Sequence, residues 1–174
     1  LFETVFSIYG KNELLFSSNQ IGIGFMLCGV VMAVLQPVFA TYGEKLLTAK
    51  QQIAAGLFIS GISMIAFPFF NNEFAVYLLI IIFAAGGAMV TPNLLSAVSQ
   101  LSKENAGSNI SIQTSANSVG QILGPVIGTW LITGGFYFPF IIAGIIILTA
   151  IGLLYFYNSF NSKTTKIGQD NKVS

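Results

Sequence analysis

Charge is scarce in this 174-residue sequence: Asp, Glu, Lys and Arg make up 7% of it, whereas hydrophobic residues make up 54%. A water-soluble domain carries about a quarter charged residues, so too few remain here to coat a surface that faces water. The composition therefore excludes an ordinary soluble protein and predicts a membrane protein. The net charge of +1 gives no reason to expect a nucleic-acid partner.

Histidine and arginine are absent, and Cys28 is the single cysteine. One cysteine cannot form a disulfide within the chain, and we expect Cys28 to be a small buried residue. The sequence also lacks a CxxC pair, a phosphate-binding GxxxxGK[ST] loop and a GxSxG motif. We therefore predict a protein that is not an enzyme and that has no metal site and no cofactor.

Long apolar runs are abundant, and a helix needs about 20 mostly apolar residues to cross a bilayer. Five runs meet this requirement, namely 20–41, 52–71, 74–95, 108–132 and 138–157. Residues 1–9 read as part of a further helix, so we expect the sequence to begin inside one. We predict an all-α membrane protein, with a helical bundle over residues 1–157 and a polar, disordered tail over 158–174.

The distribution of lysine predicts the orientation of this bundle. If residues 1–9 count as the first helix, the tail and the connections 42–51 and 96–107 hold every lysine except Lys11. Basic residues are enriched in the cytoplasmic loops of membrane proteins. We therefore expect a multi-pass protein of the bacterial cell membrane, surrounded by the lipid bilayer, with a cytoplasmic C-terminus.

One predicted span, 108–132, is unusually polar. On a helix, residues four apart share a face, which aligns Gln113, Asn117, Gln121 and Pro125. Unpaired amides are costly in lipid, so these amides either tie helices together or line a solvated cavity, and we favour the cavity. A second stripe should let another helix approach closely; it consists of Ala116, Gly120, Gly124 and Gly128.

Prolines stand inside or near the ends of the predicted spans. We expect Pro125 to kink its helix, because it removes one backbone hydrogen bond. We expect Pro92-Asn93 to end the fourth helix and Pro68 to do no more than terminate the third.

Glu3 is the only acidic or basic residue inside a predicted span. It precedes Tyr9 by six residues, which places it about 9 Å below the outer interface. An intramembrane carboxylate is costly and indicates function, and a low dielectric favours its neutral form. Glu3 is therefore a candidate for proton exchange and for attracting a cation. The alternatives are a basic partner elsewhere in the protein, or access for outside water.

Four motifs together resemble a known family. They are FETVFSIY at 2–9, QP at 36–37, MVTPNLLS at 89–96 and GQILGPVIG at 120–128. They are similar to the C-terminal half of a major facilitator superfamily transporter, and within it to the drug:proton antiporters of the NorA/Bmr type. The resemblance covers almost the whole chain. It implies a 12-helix protein with a central cavity, in which this chain supplies one six-helix bundle and an N-terminal six-helix half supplies the other.

The resemblance also implies site residues. Glu3 matches the proton- and cation-sensing glutamate of that family, while Phe25, Gly29 and Gln121 match pocket-lining positions. Phe6, which we place on the Glu3 side of its helix, is expected to join them. Asn117 is expected to offer hydrogen bonds beside Gln121.

The function implied by the resemblance is export of amphipathic, often cationic molecules in exchange for protons, as in multidrug or quinolone efflux and antibiotic resistance. Relatives carry an acidic residue and an arginine where Ala88 and Thr91 stand here, which argues against a mechanism with two carboxylates. Two alternatives stay open: an uptake symporter for a sugar or other metabolite, and a membrane remnant that does not transport.

Overall fold

The computed structural model describes residues 2–100 and 106–170, and in these two segments the ordered elements are helices. A 3₁₀ turn at Phe67–Phe69 follows the third helix. The α-helices are α1 (Phe2–Asn12), α2 (Ser18–Leu46), α3 (Ala49–Ala66), α4 (Glu73–Gln100), α5 (Ala106–Ile132) and α6 (Phe138–Asp170). The all-α bundle predicted from the sequence is confirmed.

Within the described residues, four helical segments are long and apolar enough to cross a membrane. They are Ser18–Gly43, Ala49–Phe69, Glu73–Ser99 and Phe138–Tyr155. The fifth predicted span, 108–132, is also helical and has sufficient length in α5, but its amides and hydroxyls make it less apolar than the other four. The polarity of α5 therefore needs an explanation from its neighbours.

Two capping boxes determine where α2 and α3 begin. At the first, the Gln20 N–H donates to Ser17 Oγ at 3.3 Å, and the Ser17 N–H donates to Gln20 Oε1 at 2.8 Å. Thr48 and Gln51 repeat this exchange at the start of α3, at 3.4 and 3.0 Å. Each box satisfies donors that the first helical turn leaves without an intrahelical acceptor. Polar side chains thus fix the starts of two apolar helices.

The helix ends differ from the sequence prediction at two places. Pro92-Asn93 does not end the fourth helix, because α4 continues to Gln100 with Pro92 inside it. The side chain of Asn93 is buried there and donates to the Met89 carbonyl at 2.8 Å, which supports the turn that contains the proline. The second difference concerns the expected disordered tail, since α6 continues to Asp170.

Two other predicted ends are confirmed. The 3₁₀ turn that contains Pro68 terminates α3. The link TGGFY at 133–137 separates α5 from α6. Gly135 has a φ of 139° in this link, a conformation that side-chain-bearing residues rarely adopt.

The most buried of the four candidate spans is α3, which packs on both α4 and α6. Half of its apolar stretch is buried, against 6% in α2. Glycines bring the backbones into contact: a Cβ on Gly86 of α4 would lie 2.7 Å from the Gly56 carbonyl oxygen, and a Cβ on Gly144 of α6 would lie 2.9 Å from that of Gly61. Small residues of this kind let membrane helices pack at short distances.

Polar side chains hold α2 against α4 where both helices begin. Gln20 Nε2 donates to Glu73 Oε2 at 2.9 Å. The Tyr77 hydroxyl lies 3.0 Å from Glu73 Oε1 and 3.1 Å from the Gln20 carbonyl, and it can donate to either. The capping glutamine of α2 therefore also links the two helices.

A buried pair of amides holds α3 against α4 at the opposite end of the bundle. Asn93 Nδ2 donates to Gln52 Oε1 at 3.0 Å, and Gln52 Nε2 donates to the Leu47 carbonyl at 3.1 Å. A Cβ on Gly43 of α2 would collide with the Gln52 amide. Together with the Gln20 contacts, this pair fixes α2, α3 and α4 as one framework, on which α1 and α5 are placed.

Candidate functional site

A cleft of about 1000 Å³ lies between α1, α2, α4 and α5. One face of α1 supplies much of its lining, through Phe2, Glu3, Thr4, Ser7 and Ile8. Glu3, Thr4, Ser7 and Ile8 recur at helical spacing and share one face of α1, and Phe2 joins the lining from the first turn. The cleft is therefore built from the first helix outward.

Of the described residues that line the cleft, Glu3 is the only one with a carboxylate, and its side chain is exposed. The Ser7 hydroxyl donates at 2.9 Å to the backbone carbonyl of Glu3, and not to its carboxylate. Among the residues that the structure describes, that carboxylate has no hydrogen-bond or ion-pair partner. It is thus available to a proton or to a bound cation.

Aromatic rings form one wall of the cleft. Phe2 on α1 stacks on Phe83 of α4 with ring centroids 4.7 Å apart, and Phe25 of α2 lies on the same wall. Phe6 is fully buried behind these rings, stacked on Phe2 at 5.7 Å and edge-on to Phe25 at 5.5 Å. In contrast to the prediction, Phe6 therefore supports the wall from behind and does not form its surface.

Tight packing keeps Phe6 in this position. A Cβ on Gly24 of α2 would lie 3.0 Å from the Phe6 ring, so a larger residue there would require the ring to shift. Phe67 closes the other side, edge-on to Phe6 at 5.7 Å. Offset and edge-to-face contacts of this kind are favourable between aromatic rings, so the wall rests on a well-packed base.

The face of α2 that lines the cleft carries Phe25, Cys28, Gly29 and Met32, at intervals of three and four residues. Gly29, a predicted site residue, lies in open space, since a Cβ there would meet nothing within 4 Å. Cys28 was expected to be buried, but it is partly exposed and lines the cleft. The apolar run around it concealed this placement, because every side of α2 is similarly apolar.

The structure divides the predicted amide stripe of α5. Gln121 and Pro125 line the cleft. Asn117 is exposed one turn away, outside the cleft, and Gln113 lies one turn further along. Gln121 is thus the one amide of the stripe that meets Glu3 across the same cleft.

The small-residue stripe of α5 is only partly used for packing. Gly124 and Gly128 are buried. Gly120 is exposed, and a Cβ there would meet nothing within 4 Å. The expected close approach of another helix is therefore absent at Gly120, within the part of the chain that the structure describes.

Sequence reasoning missed several lining residues. Spacing from Glu3 along α1 points to Ser7, and spacing from Phe25 along α2 points to Met32. Phe83 could not be found in this way, because its helix α4 is apolar on every side.

Ala88 and Thr91 stand where the resembling family carries an acidic residue and an arginine. Ala88 is buried, and the Thr91 hydroxyl donates to the Gly87 carbonyl at 3.0 Å, so neither position supplies charge.

Comparison with known proteins gives the family. The sequence pattern of the Major Facilitator Superfamily matches residues 2–172. Multidrug resistance protein 2 of Bacillus subtilis is 22% identical over 152 residues, which cover 87% of this chain and 38% of that protein. Quinolone resistance protein NorA of Staphylococcus aureus is 25% identical over 126 residues, which cover 72% of this chain and 32% of that protein.

The chain thus spans 32–38% of the length of these curated relatives. The members of this family are membrane transporters and not enzymes, in agreement with the apolar helices and with the prediction. On the match over residues 2–172, this multi-pass membrane chain belongs to the Major Facilitator Superfamily.

Proposed function

We propose that this chain forms part of a proton-coupled transporter that exports amphipathic and cationic drugs across the cell membrane. The observation that carries the proposal is the exposed carboxylate of Glu3 on the lining of a cleft whose wall is aromatic. A carboxylate next to aromatic rings suits an organic cation, since both the charge and the ring faces attract it. The names of the two relatives, multidrug resistance and quinolone resistance, agree with this class of substrate.

The shape of the cleft favours a broad substrate range. Phe2, Phe25 and Phe83 offer apolar contact area, and Met32 adds a flexible thioether side chain. Gln121 offers a donor and an acceptor without demanding one geometry. A site with large adaptable contacts and few directional polar groups discriminates weakly among ligands, as a multidrug site requires.

The coupling step would take place at Glu3. A deprotonated carboxylate holds a cation in the cleft, and a proton that binds the same carboxylate cancels the charge that retains the cation. Proton and drug therefore compete for one group, and their exchange across the membrane follows if the cleft opens alternately to each side. We place the end of the bundle that contains Gln52 and Asn93 on the cytoplasmic side, because the lysine-rich connections lie there.

Under this proposal the protons, the drug and an N-terminal six-helix bundle are the partners of the chain. The second bundle would cover the open side of the cleft and complete the cavity. The surrounding lipid would contact the apolar outer surfaces.

The test uses the complete gene product in inside-out vesicles under an imposed proton gradient. Uptake of a fluorescent lipophilic cation is compared between the wild type, Glu3→Gln and Glu13→Gln. Glu13 is a matched control because it is an exposed carboxylate in the link after α1, outside the cleft. We expect Glu3→Gln to abolish gradient-driven uptake and Glu13→Gln to leave it unchanged.

Other outcomes would redirect the proposal. Uptake that survives Glu3→Gln would place the coupling elsewhere in the protein. Absence of uptake by the wild type would contradict drug export and favour a metabolite symporter or a chain that does not transport.

A further inference from the structure

The face of α1 that carries Glu3 continues one helical turn beyond the cleft. Glu3, Ser7 and Lys11 stand four residues apart, so they follow one side of the helix. Glu3 and Ser7 line the cleft. Lys11 is the next position on that side and lies in the last turn of α1. A carboxylate and an ammonium group therefore share one face, with a cleft-lining residue between them.

These two charges are placed for a ligand and not for each other. Eight residues separate Glu3 from Lys11, which corresponds to about 12 Å along the helix axis. The side chains of an α-helix lean toward its N-terminus, so Lys11 reaches over the turn that contains Ser7. The ammonium group is thus directed toward the cleft, while the carboxylate of Glu3 stays accessible inside it. One extended ligand can contact both groups.

Lys11 is exposed, and it has no hydrogen-bond or ion-pair partner among the residues that the structure describes. Glu13, the acidic residue two positions further on, does not pair with it. Lys45 at the other end of the bundle is the contrasting case, since its ammonium nitrogen lies 5.4 Å from the centroid of the Tyr42 ring. The charge of Lys11 is therefore available, next to the cleft and on the side of Glu3.

We propose that Lys11 is a specificity-determining residue, which binds the anionic end of a zwitterionic ligand while Glu3 holds the ammonium end. This inference rests on the proposed function and narrows its substrate class. The preferred ligand would be an amphipathic molecule with an ammonium group and a carboxylate about 12 Å apart, at the spacing of the two side chains. A ligand of the same length with two positive charges would be repelled at Lys11.

The experiment uses two probes that differ in one charge. One is a lipophilic amino acid with its ammonium and carboxylate groups at opposite ends, and the other is its methyl ester, which keeps only the positive charge. Binding to the purified complete gene product gives Kd, and transport in inside-out vesicles gives KM. The variants are Lys11→Gln, Lys11→Arg and Lys45→Gln. Lys45 is the matched control because it is an exposed lysine in the last turn of α2, outside the cleft.

We expect Lys11→Gln to raise Kd and KM for the acid by about fivefold, the upper value for an exposed ion pair. The same variant should lower both constants for the ester by less than about twofold, because it removes a like charge. Lys11→Arg keeps the charge and should restore the wild-type preference. Lys45→Gln should change neither probe.

The opposite signs for the two probes separate recognition from an effect on folding. A cation in the last turn of a helix also interacts favourably with the partial negative charge at the C-terminal end. If Lys11 served only that purpose, Lys11→Gln would lower the unfolding midpoint and would affect the acid and the ester alike. Lys11→Glu reverses the charge, so it should weaken binding of the acid further and improve binding of a diammonium probe of the same length.

Two results would overturn the inference alone: equal effects of Lys11→Gln on the acid and the ester, or a wild type that binds the ester and not the acid. The proposed function survives either result if transport of the ester depends on Glu3. If the wild type neither binds nor transports either probe, the proposed function fails and this inference fails with it.

Discussion

The helices α3 and α5 contain the same kinds of residue and use them in opposite ways. Both carry glycines on one side and hydroxyl or amide side chains on another. In α3 the polar side chains Gln52, Ser60 and Ser63 are buried. In α5 the amides Asn117 and Gln121 are exposed. The comparison shows that the neighbouring helices decide whether the polar side chains of a membrane helix are used in packing or stay exposed.

The neighbours of α3 satisfy its polar groups. Ser60 donates across the helix interface to the Phe83 carbonyl at 3.2 Å, and Gln52 is bonded at both ends of its amide. Gly86 of α4 and Gly144 of α6 lie against the backbone of α3, next to Gly56 and Gly61 respectively. These contacts account for the burial of α3.

The neighbours of α5 leave its polar groups available. It contacts α1, α4 and α6, but much of its surface is exposed, including Ile122 and Trp130. The hydroxyls of Ser111, Thr114 and Ser118 donate to carbonyls of their own helix. Gln121 lines the cleft, and the side-chain oxygen of Gln113 has no donor among the described residues. This distribution agrees with the proposal that α5 lies beside a solvated path.

The largest predicted difference between the two helices concerns glycine. In Gly86→Ala the new methyl group would collide with Ser60 Oγ and would lie 2.7 Å from the Gly56 carbonyl oxygen, so α3 and α4 must separate. We expect a loss of about 3 kcal/mol in the free energy of unfolding, at the upper end of the usual cost of overpacking. Thermal or detergent-induced unfolding of the purified protein measures it.

The control for that substitution is Gly120→Ala, where nothing lies within 4 Å. Alanine is the better helix former, so stability should stay the same or rise by up to about 1 kcal/mol. Equal losses for both variants would show that the close approach of α3 and α4 is not what makes Gly86 necessary.

The second predicted difference concerns the amides. Gln52→Leu removes the acceptor of Asn93 and the donor to the Leu47 carbonyl, so we expect a loss of about 2 kcal/mol in stability. Asn117→Leu on α5 should change stability by less than about 0.5 kcal/mol, because its side chain is exposed. The same unfolding assay compares the two variants.

For transport of a lipophilic cation, measured per folded molecule, we expect Asn117→Leu to have the larger effect and Gln52→Leu the smaller. We expect Asn117→Leu to weaken transport per folded molecule, and Gln52→Leu to reduce the amount of folded protein more than the rate of each molecule. If both variants lost stability to the same extent, the contrast between the packing amides and the path amides would be wrong.

The smallest predicted difference concerns hydroxyls. Ser60→Ala removes a bond between two helices and should cost about 1 kcal/mol. Ser118→Ala removes a bond within one helix turn and should cost close to nothing. Unfolding midpoints of the two variants, measured side by side, check this order; a reversed order would contradict the assignment of Ser60 to the α3–α4 contact.

Much of the fold could be predicted from the sequence, because apolar runs of membrane length are a strong signal. The helices, the link at 133–137 and the helix-terminating role of Pro68 followed from it. Pro92 misled us, because the support for the helix beyond it comes from the buried side chain of Asn93, a tertiary contact. A proline marks a weak point in a helix, and the neighbours determine whether the helix ends there.

The site could be predicted in part. Glu3 and the amide stripe stood out because polar residues are conspicuous in an apolar helix, and Gln121 lies with Glu3 on the cleft. The exposure of Cys28 could not be predicted, because α2 is apolar on every side. The side on which Phe6 lies could have been predicted, because Glu3, Thr4 and Ser7 mark the polar side of α1, whereas Phe6 is buried with Val5 and Tyr9. The stripe of Gly120, Gly124 and Gly128 suggested close packing along α5; Gly124 and Gly128 are buried, whereas Gly120 has open space beside it.

The central claim is that the α5 amides face a water-accessible path and that the α3 polar residues lie in dry packing. Thiol labelling tests it most directly, in the complete gene product with Cys28→Ser as background. We predict that Gln121→Cys reacts with a membrane-impermeant reagent and is protected by a lipophilic cation, while Ser63→Cys, at a position that is 3% exposed, does not react. Reaction at position 63 that is as fast as at 121, or a lack of reaction at 121, would contradict the account.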